Sequence, residues 1–502
     1  MCLLCNSLSL SRRKFISASA MFGAAAATGL KASAQTPPAS TSEGAPAGAL
    51  PTRGEYLVRN AFILTMDSTL GDIPRGDIHV RNGAIVAIGP DLVAPGAEVI
   101  DAKSMIALPG FIETHWHMWG TAARNMAGDD ESTGYFPYSR VLGAVFTAED
   151  NARGVRLGIA EAVNGGLTTV NNWSHNLLGP EYADAELQAH KDFGARALFS
   201  YGYSRKTGQN QTLPLDDVAR VQKEWLPQLE GRVTLGIASR GPENNTIDIC
   251  QKEWDTARKL GVRVTCHMGT SQKVLDLRHG VQALSKAGLL GSDLVIVHNT
   301  NTTREDLDLI AKSQSYLSLS PFTEMRTGFG YPPILQMLAA GCNVSLSVDT
   351  ALLCGNCDMF AIMKAMQNVG DGAKPSEFAL PARRVLEMAT IDGARALGIG
   401  DSVGSLKPGK RADFMLVRTR DLNMAPFTDP VHMIVQSAQP SNVDTVFVDG
   451  RPLKRAGKLV AYNVDKIVDD ANDTMDRVRA EVARQNRTAA DVEKEMPAQR
   501  QR

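Results

Sequence analysis

Four stretches of the chain end an apolar run in a residue that binds metals or moves protons. Pro109-Gly-Phe-Ile-Glu-Thr-His115-Trp116-His117 sets two histidines at i and i+2. On an extended strand those positions project to one side, so both imidazoles aim into the same space. Val262-Arg-Val-Thr-Cys-His267 and Asp293-Leu-Val-Ile-Val-His298 each close such a run with a histidine, and Asn343-Val-Ser-Leu-Ser-Val-Asp349 closes one with a carboxylate. In that last run Ser345, Ser347 and Asp349 share one face and Val344, Leu346 and Val348 the other. The apolar face is expected to pack against helices and leave Asp349 directed into an open mouth. Neutral imidazole and carboxylate oxygen suit zinc and related divalent ions. A lone histidine at a strand end is usually a satisfied structural residue. Four strand ends with ligand chemistry imply a common centre instead.

The elements that must position them alternate. Strand-like runs end near His117, Asn172, Tyr201, Arg240, His267, His298, Ser320 and Asp349, with helical segments between them. That alternation predicts an α/β fold, a (β/α)8 TIM-like barrel over residues 108–399, and barrel enzymes place their chemistry at the C-terminal strand ends. In the fourth helix Ile247, Cys250, Trp254, Ala257 and Leu260 recur at helical spacing, with Gly261 placed to end it. Thr303 and Asp306 stand where an N-cap pair belongs. Short strands at Tyr56–Thr65, Asp77–Val80, Ala84–Gly89 and Glu98–Ile100, with the hairpin turn Arg81-Asn82-Gly83, come before the barrel. Strand character returns at Gly404–Val417 and Val443–Val448. Residues 53–107 and 400–463 are therefore read as one small β-sandwich domain, and 464–502 as a charged helical tail.

These motifs resemble the amidohydrolase superfamily, in particular the branch of cytosine deaminase and the triazine-ring hydrolases. The likeness spans most of residues 55–450 and rests on Gly-Ala-Ile-Val-Ala-Ile-Gly89, Ile-Asp-Ala102, Pro-Gly-Phe-Ile-Glu-Thr-His115, Gly166-Leu-Thr-Thr-Val170, Ala389-Thr-Ile-Asp-Gly-Ala-Arg-Ala-Leu-Gly398 and Gly-Ser-Leu-Lys-Pro-Gly-Lys-Arg-Ala-Asp413. The resemblance implies one divalent metal on His115, His117, His267 and Asp349. Zn2+ is the first choice, with Fe2+, Co2+ or Mn2+ as alternatives. It implies that His298 positions the attacking water or the substrate oxygen, and that Asp349 takes the water's proton and passes it to the leaving group. A metal-bound water with a pKa of about 7 makes that chemistry available at neutral pH. Binuclear members carry a carboxylated lysine at the end of strand four. Ile237-Ala-Ser-Arg-Gly241 has no lysine, which favours a single metal.

One departure matters for the substrate. Deaminases of this branch carry His-x-x-Glu after strand five, where the glutamate protonates the ring nitrogen. Here the run is His267-Met-Gly-Thr270, and Thr270 is no general acid. Hydrolysis of an amide, urea or carbamate C–N bond in a small organic molecule is the favoured reading. A deaminase or chlorohydrolase of a nitrogen heterocycle, with Glu324 substituting as the acid, is the alternative. A barrel that binds without catalysis is the third, and the complete ligand set with His298 argues against it. Trp116, Trp119, Trp173, His175, Glu324 and Thr270 are the candidate substrate contacts, the tryptophans by stacking on an aromatic ligand.

Composition narrows the setting. A chain with 43% hydrophobic and 21% charged residues fits a soluble enzyme, and a net charge of −1 without sustained charge blocks gives no reason to expect nucleic acid. The expected partner is a small molecule, and self-association into a homo-oligomer is left open. Ser11-Arg12-Arg13-Lys14-Phe15-Ile16 precedes an Ala-rich apolar run and Ala32-Ser33-Ala34, so residues 1–34 read as a twin-arginine signal peptide and 35–52 as a disordered linker. This places the mature protein in the periplasm or outside the cell, delivered by the twin-arginine export machinery, with no stable membrane anchor once the signal is cleaved. Cys354 and Cys357 have disulfide-compatible spacing in such a compartment. Replacing both Arg12 and Arg13 by Lys is expected to retain the protein in the cytoplasm on fractionation. Unchanged export of that variant would remove the twin-arginine reading.

Overall fold

The computed structural model describes residues 50–485 apart from 132, 204–206, 209 and 375. Residues 1–34, expected from the sequence to be a signal peptide, the expected linker up to residue 49 and the tail beyond 485 lie outside the described residues. Among the described residues no helix is long and apolar enough to cross a membrane.

Five strands come first: β1 (Glu55–Ile63), β2 (Ile73–Arg81), β3 (Ala84–Gly89), β4 (Glu98–Asp101) and β5 (Met105–Pro109). The barrel follows as β6 (Phe111–Ile112), β7 (Leu167–Ser174), β8 (Arg196–Tyr201), β9 (Val233–Ser239), β10 (Arg263–Met268), β11 (Leu294–His298), β12 (Tyr316–Leu319) and β13 (Asn343–Leu346). These eight pair in parallel, each with its neighbour in chain order. Every residue of β7, β8 and β11 is buried, as parallel strands covered on both faces must be. Helices return the chain between strands. Thr147 and Asp150 form a capping box that starts the helix Ala148–Asn164, and Thr303 with Asp306 does the same for Arg304–Ser313. Gly261 ends the helix Ile247–Leu260 in the left-handed region, at φ 68°.

β14 (Phe414–Arg418), β15 (Val443–Val448), β16 (Arg451–Arg455) and β17 (Lys458–Leu459) complete the small domain. The expected sandwich is one hydrogen-bonded sheet of nine strands, ordered β17-β16-β15-β14-β5-β1-β2-β3 with β4 beside β1. It folds over at β1, which pairs with β4 through Tyr56–Arg59 and with β5 through Phe62–Ile63. The change of partner falls at Asn60, in the left-handed region at φ 66°. Tyr56 then meets Phe447 edge-on at 5.1 Å, and Phe447 stacks on Phe414 at 4.8 Å. β5 pairs with β14 in this sheet, and only Gly110 separates it from the first barrel strand.

Two contacts tie these parts together. At the N-terminal end of β8, Arg196 donates to both oxygens of Asp413 at 2.9 and 3.0 Å, and both residues are buried. Asp413 also accepts the Asp449 backbone N–H at 2.8 Å. The helix Val464–Gln485, which the sequence left without a role, buries Met475 and Val478 against Trp119, Leu142 and Leu352. Removing one member of a buried ion pair strands the other. Arg196→Met is therefore expected to lower unfolding stability by about 3–5 kcal/mol in denaturant titration, and a loss well under 1 kcal/mol would mean Asp413 is satisfied without it.

Candidate metal centre

The barrel closes where β6 meets the end of β13, and this seam carries three of the expected ligands. Beyond β6 the chain stays extended. Trp116 N–H bonds Asn171 O at 3.0 Å and Trp173 N–H bonds Trp116 O at 2.9 Å on the β7 side. On the other side His117 N–H bonds Asp349 O at 2.7 Å, and Asp349 N–H bonds His115 O at 2.8 Å. Alternation along this segment turns His115 and His117 inward. The same alternation sends Trp116 outward, where it is fully buried and its ring edge lies over Gly158 of the helix Ala148–Asn164. Trp116 is thus a core residue, which corrects its place among the substrate contacts.

Asp349 reaches the centre by a different route from the one expected. β13 ends at Leu346, and Asp349 lies beyond it in the left-handed region at φ 64°. His298, the last residue of β11, has φ 70°, and Asn299 has φ 51°. A non-glycine residue held there costs about 1–3 kcal/mol and persists only where its surroundings enforce it. The seam bonds enforce it at Asp349. At β11 the Asn299 N–H bonds Met268 O at 2.8 Å.

The donor atoms of His115, His117, His267 and Asp349 all lie within 4.8 Å of one another. Nε2 of His115 is 3.1 Å from Nε2 of His267, and Asp349 Oδ1 is 3.3 Å from Nε2 of both His115 and His117. Nδ1 of His115 and of His117 is buried with no partner among the described residues, so each ring meets polar company only through Nε2. Burial pushes His115 down to about 3 and His267 well below the ordinary histidine range, which favours neutral imidazole, the form that binds metals. Burial opposes charge on Asp349, but hydrogen bonds from His115 and His117 hold its carboxyl well below the usual range. Three histidine nitrogens and one carboxylate turned toward a common point fit a divalent ion.

The other expected residues separate into groups. His298 is buried beside the cluster, with Nε2 4.0 Å from Asp349 Oδ2 and Nδ1 3.1 Å from Glu324 Oε1. Glu324 is fully buried, and Oε1 also accepts the Ser320 N–H at 2.9 Å. Trp173 stands edge-on to His267 at 4.4 Å and to His117 at 5.0 Å. His175 lies 4.4 Å from the His117 ring, and Trp119 Nε1 donates to its Nδ1 at 3.3 Å, so Trp119 bears on the centre through His175. Thr270 is half-buried and follows Gly269, whose N–H donates to Glu243 at 2.9 Å. Cys354 and Cys357 are free thiols.

Three residues were not anticipated. Glu113 is fully buried and accepts the N–H groups of His115, Asn171 and Val348, which pins three strands behind the ligands. Its place two residues before His115 on one strand face was the available signal. Glu243 brings a buried carboxylate to the loop after β10, and nothing local in Arg240-Gly-Pro-Glu243 announces that. Phe329 sits between Gly328 and Gly330, both at positive φ, with its ring 5.3 Å from that of His298.

The profile of the amidohydrolase family matches residues 106–453. The chain belongs to that family. Among curated relatives, the 5'-deoxyadenosine deaminase of Methanosarcina mazei is 29% identical over 439 residues, covering 85% of this chain and 99% of its own. The 5-methylthioadenosine/S-adenosylhomocysteine deaminase of Moorella thermoacetica is 28% identical, covering 82% and 97%. Among solved structures, an adenosine deaminase from Xanthomonas campestris with bound zinc superposes with a TM-score of 0.78 at 23% identity, covering 86% of this chain and 100% of that one. The zinc complex of an atrazine chlorohydrolase from Arthrobacter aurescens gives 0.76 at 22%, covering 84% and 99%. At those identities the structures establish a shared fold.

One ligand set among the described residues, and no lysine in Ile237-Ala-Ser-Arg-Gly241, lead to a count. Elemental analysis of this amidohydrolase is expected to find about one divalent ion per chain, with His267→Ala losing it and His298→Asn keeping it. Two equivalents at full activity, or metal loss in His298→Asn, would contradict the assignment.

Proposed function

We propose that this amidohydrolase cleaves the C–N bond of an amide, urea or carbamate in a small organic molecule, with one divalent ion, Zn2+ by preference, on His115, His117, His267 and Asp349. Metal-dependent hydrolysis of non-peptide C–N bonds follows from the family itself. The observation that carries the finer reading is Thr270, which offers a hydroxyl where ring deaminases of this branch place an acid.

The ion supplies Lewis-acid activation of water and of a carbonyl oxygen. The chain's own groups do the rest. Asp349 is ionised and takes a proton from the attacking water as the C–O bond forms. His298, buried beside it, orients the attacking water. Asp349 then returns the proton to the leaving nitrogen as the C–N bond breaks, so a neutral amine departs. Trp173 and His175 border the ligand rings and are placed to limit what shape of substrate can approach. A carbonyl substrate needs no separate acid at a ring nitrogen, and this is why the absence of a carboxyl at position 270 is tolerable.

A second reading has specific support. The curated relatives carry the names of deaminases of adenosine derivatives, and removal of an amino group from such a ring uses the same ion and the same Asp349. In that case another carboxyl serves as the acid.

A substrate panel on metal-loaded protein, scored separately for released ammonia and released amine, divides the two. Amine release from N-substituted amides, ureas or carbamates is expected, with ammonia from adenosine derivatives and triazines near background. Thr270→Glu should lower the amide-type activity. If it instead raises ammonia release from a heterocycle, or if ammonia from such rings is the main product of the unaltered enzyme, the deaminase reading replaces the first.

A further inference from the structure

We propose that Glu324 is the positioning residue for His298, fixing the proton on its Nδ1 and leaving Nε2 to face the reacting atoms. This rests on the reading that His298 takes part in the hydrolysis, and it gives Glu324 a role that neither the ligand set nor Thr270 supplies.

The geometry is a line of three groups. Glu324 Oε1 lies 3.1 Å from His298 Nδ1, and His298 Nε2 lies 4.0 Å from Asp349 Oδ2. An imidazole whose Nδ1–H is given to a carboxylate carries its lone pair on Nε2, on the Asp349 side. Both ends are buried, Glu324 at 0% and His298 at 2% exposure, so water does not compete for the bond. The backbone enforces the same orientation. His298 sits in the left-handed region, and Ser320 N–H holds Glu324 Oε1 from behind at 2.9 Å. Glu324 Oε2 is buried with no hydrogen-bond partner among the described residues. A carboxyl needed only to cap the helix Pro321–Arg326 would use one oxygen on Ser320, and nothing in that role brings a histidine to the same oxygen.

The remaining groups facing His298 do not duplicate this contact. The His267 and His115 rings stand 5.4 and 6.0 Å away and direct their Nε2 atoms to each other, and Phe329 covers one side at 5.3 Å without a polar atom. Asp349 meets the opposite nitrogen. Glu324 is the carboxylate on the Nδ1 side among the described contacts. The proton balance is closed: as the C–O bond forms, Nε2 accepts a hydrogen bond from the attacking water, whose other proton goes to Asp349 and leaves for the nitrogen as the C–N bond breaks. Glu324 keeps the Nδ1 proton in place throughout, so Nε2 stays the acceptor.

The informative variant is Glu324→Gln, because the amide oxygen can still accept from Ser320 N–H and His298 Nδ1–H while the negative charge is gone. On metal-loaded protein we expect unchanged metal content, kcat reduced by about 10–100-fold with KM little altered, and the pH–rate limb governed by His298 moved to lower pH. In the His298→Asn background the same change should add almost nothing, which distinguishes positioning of His298 from general loss of folding. A capping role alone predicts near-normal kcat and an unmoved pH limb in Glu324→Gln, and that result overturns the proposal. So does an equal loss with and without His298. The measurement uses whichever substrate is turned over, so a deaminase outcome leaves it intact, while full activity of His298→Asn would show that the underlying reading failed.

Discussion

The centre depends on one backbone exchange. His117 N–H to Asp349 O and Asp349 N–H to His115 O join the first turn of the barrel to its last strand end. Together with the bonds from Thr114 to Leu346 O, these two close the barrel and at the same time set three of four donors around a single point. Glu113 reinforces the seam by taking N–H groups from His115, Asn171 and Val348. Closure and ligand placement are thus one constraint.

The second level is electrostatic. Three imidazoles and a carboxylate meet in the barrel mouth, where burial favours the neutral form of His115 and His267 and the carboxylate is held ionised by its histidine neighbours. That combination crowds four donor groups together, with His115 Nε2 3.1 Å from His267 Nε2. A divalent cation bound there would share the seam that holds its ligands, which couples metal affinity to the stability of the seam. Around this core lie groups that aim rather than bind. Glu324 directs His298, Trp119 donates to His175, and the helix Val464–Gln485 supports Trp119 from outside the barrel.

Much of this was legible because it obeys local rules. Apolar runs ending in His267 and His298 are strands with buried faces, the Thr303–Asp306 pair is a cap, and His115 with His117 follow strand alternation. Alternation also turns Trp116 to the outer side, so its ring packs in the core and away from the pocket. Other features arise only on folding. Asp349 points inward through a left-handed residue beyond its strand, not through alternation within it. The partner of Glu324 lies 26 residues away on another strand. The tail helix reads as polar and charged, and its Met475 and Val478 gain meaning only against Trp119. The division between β5 and β6 at Gly110 depends on which sheet each half joins, and no local pattern states that.

X-ray absorption spectroscopy of the zinc-loaded protein reads out whether three imidazoles and one carboxylate hold a single ion. That ligand set gives one shell of nitrogen and oxygen at about 2.0–2.2 Å, with imidazole outer-shell scattering from three rings. A sulfur shell near ~2.3 Å would instead place the ion on cysteine, and a metal–metal vector at about 3.5–4 Å would reveal a binuclear site. Either result would contradict a single ion on that ligand set.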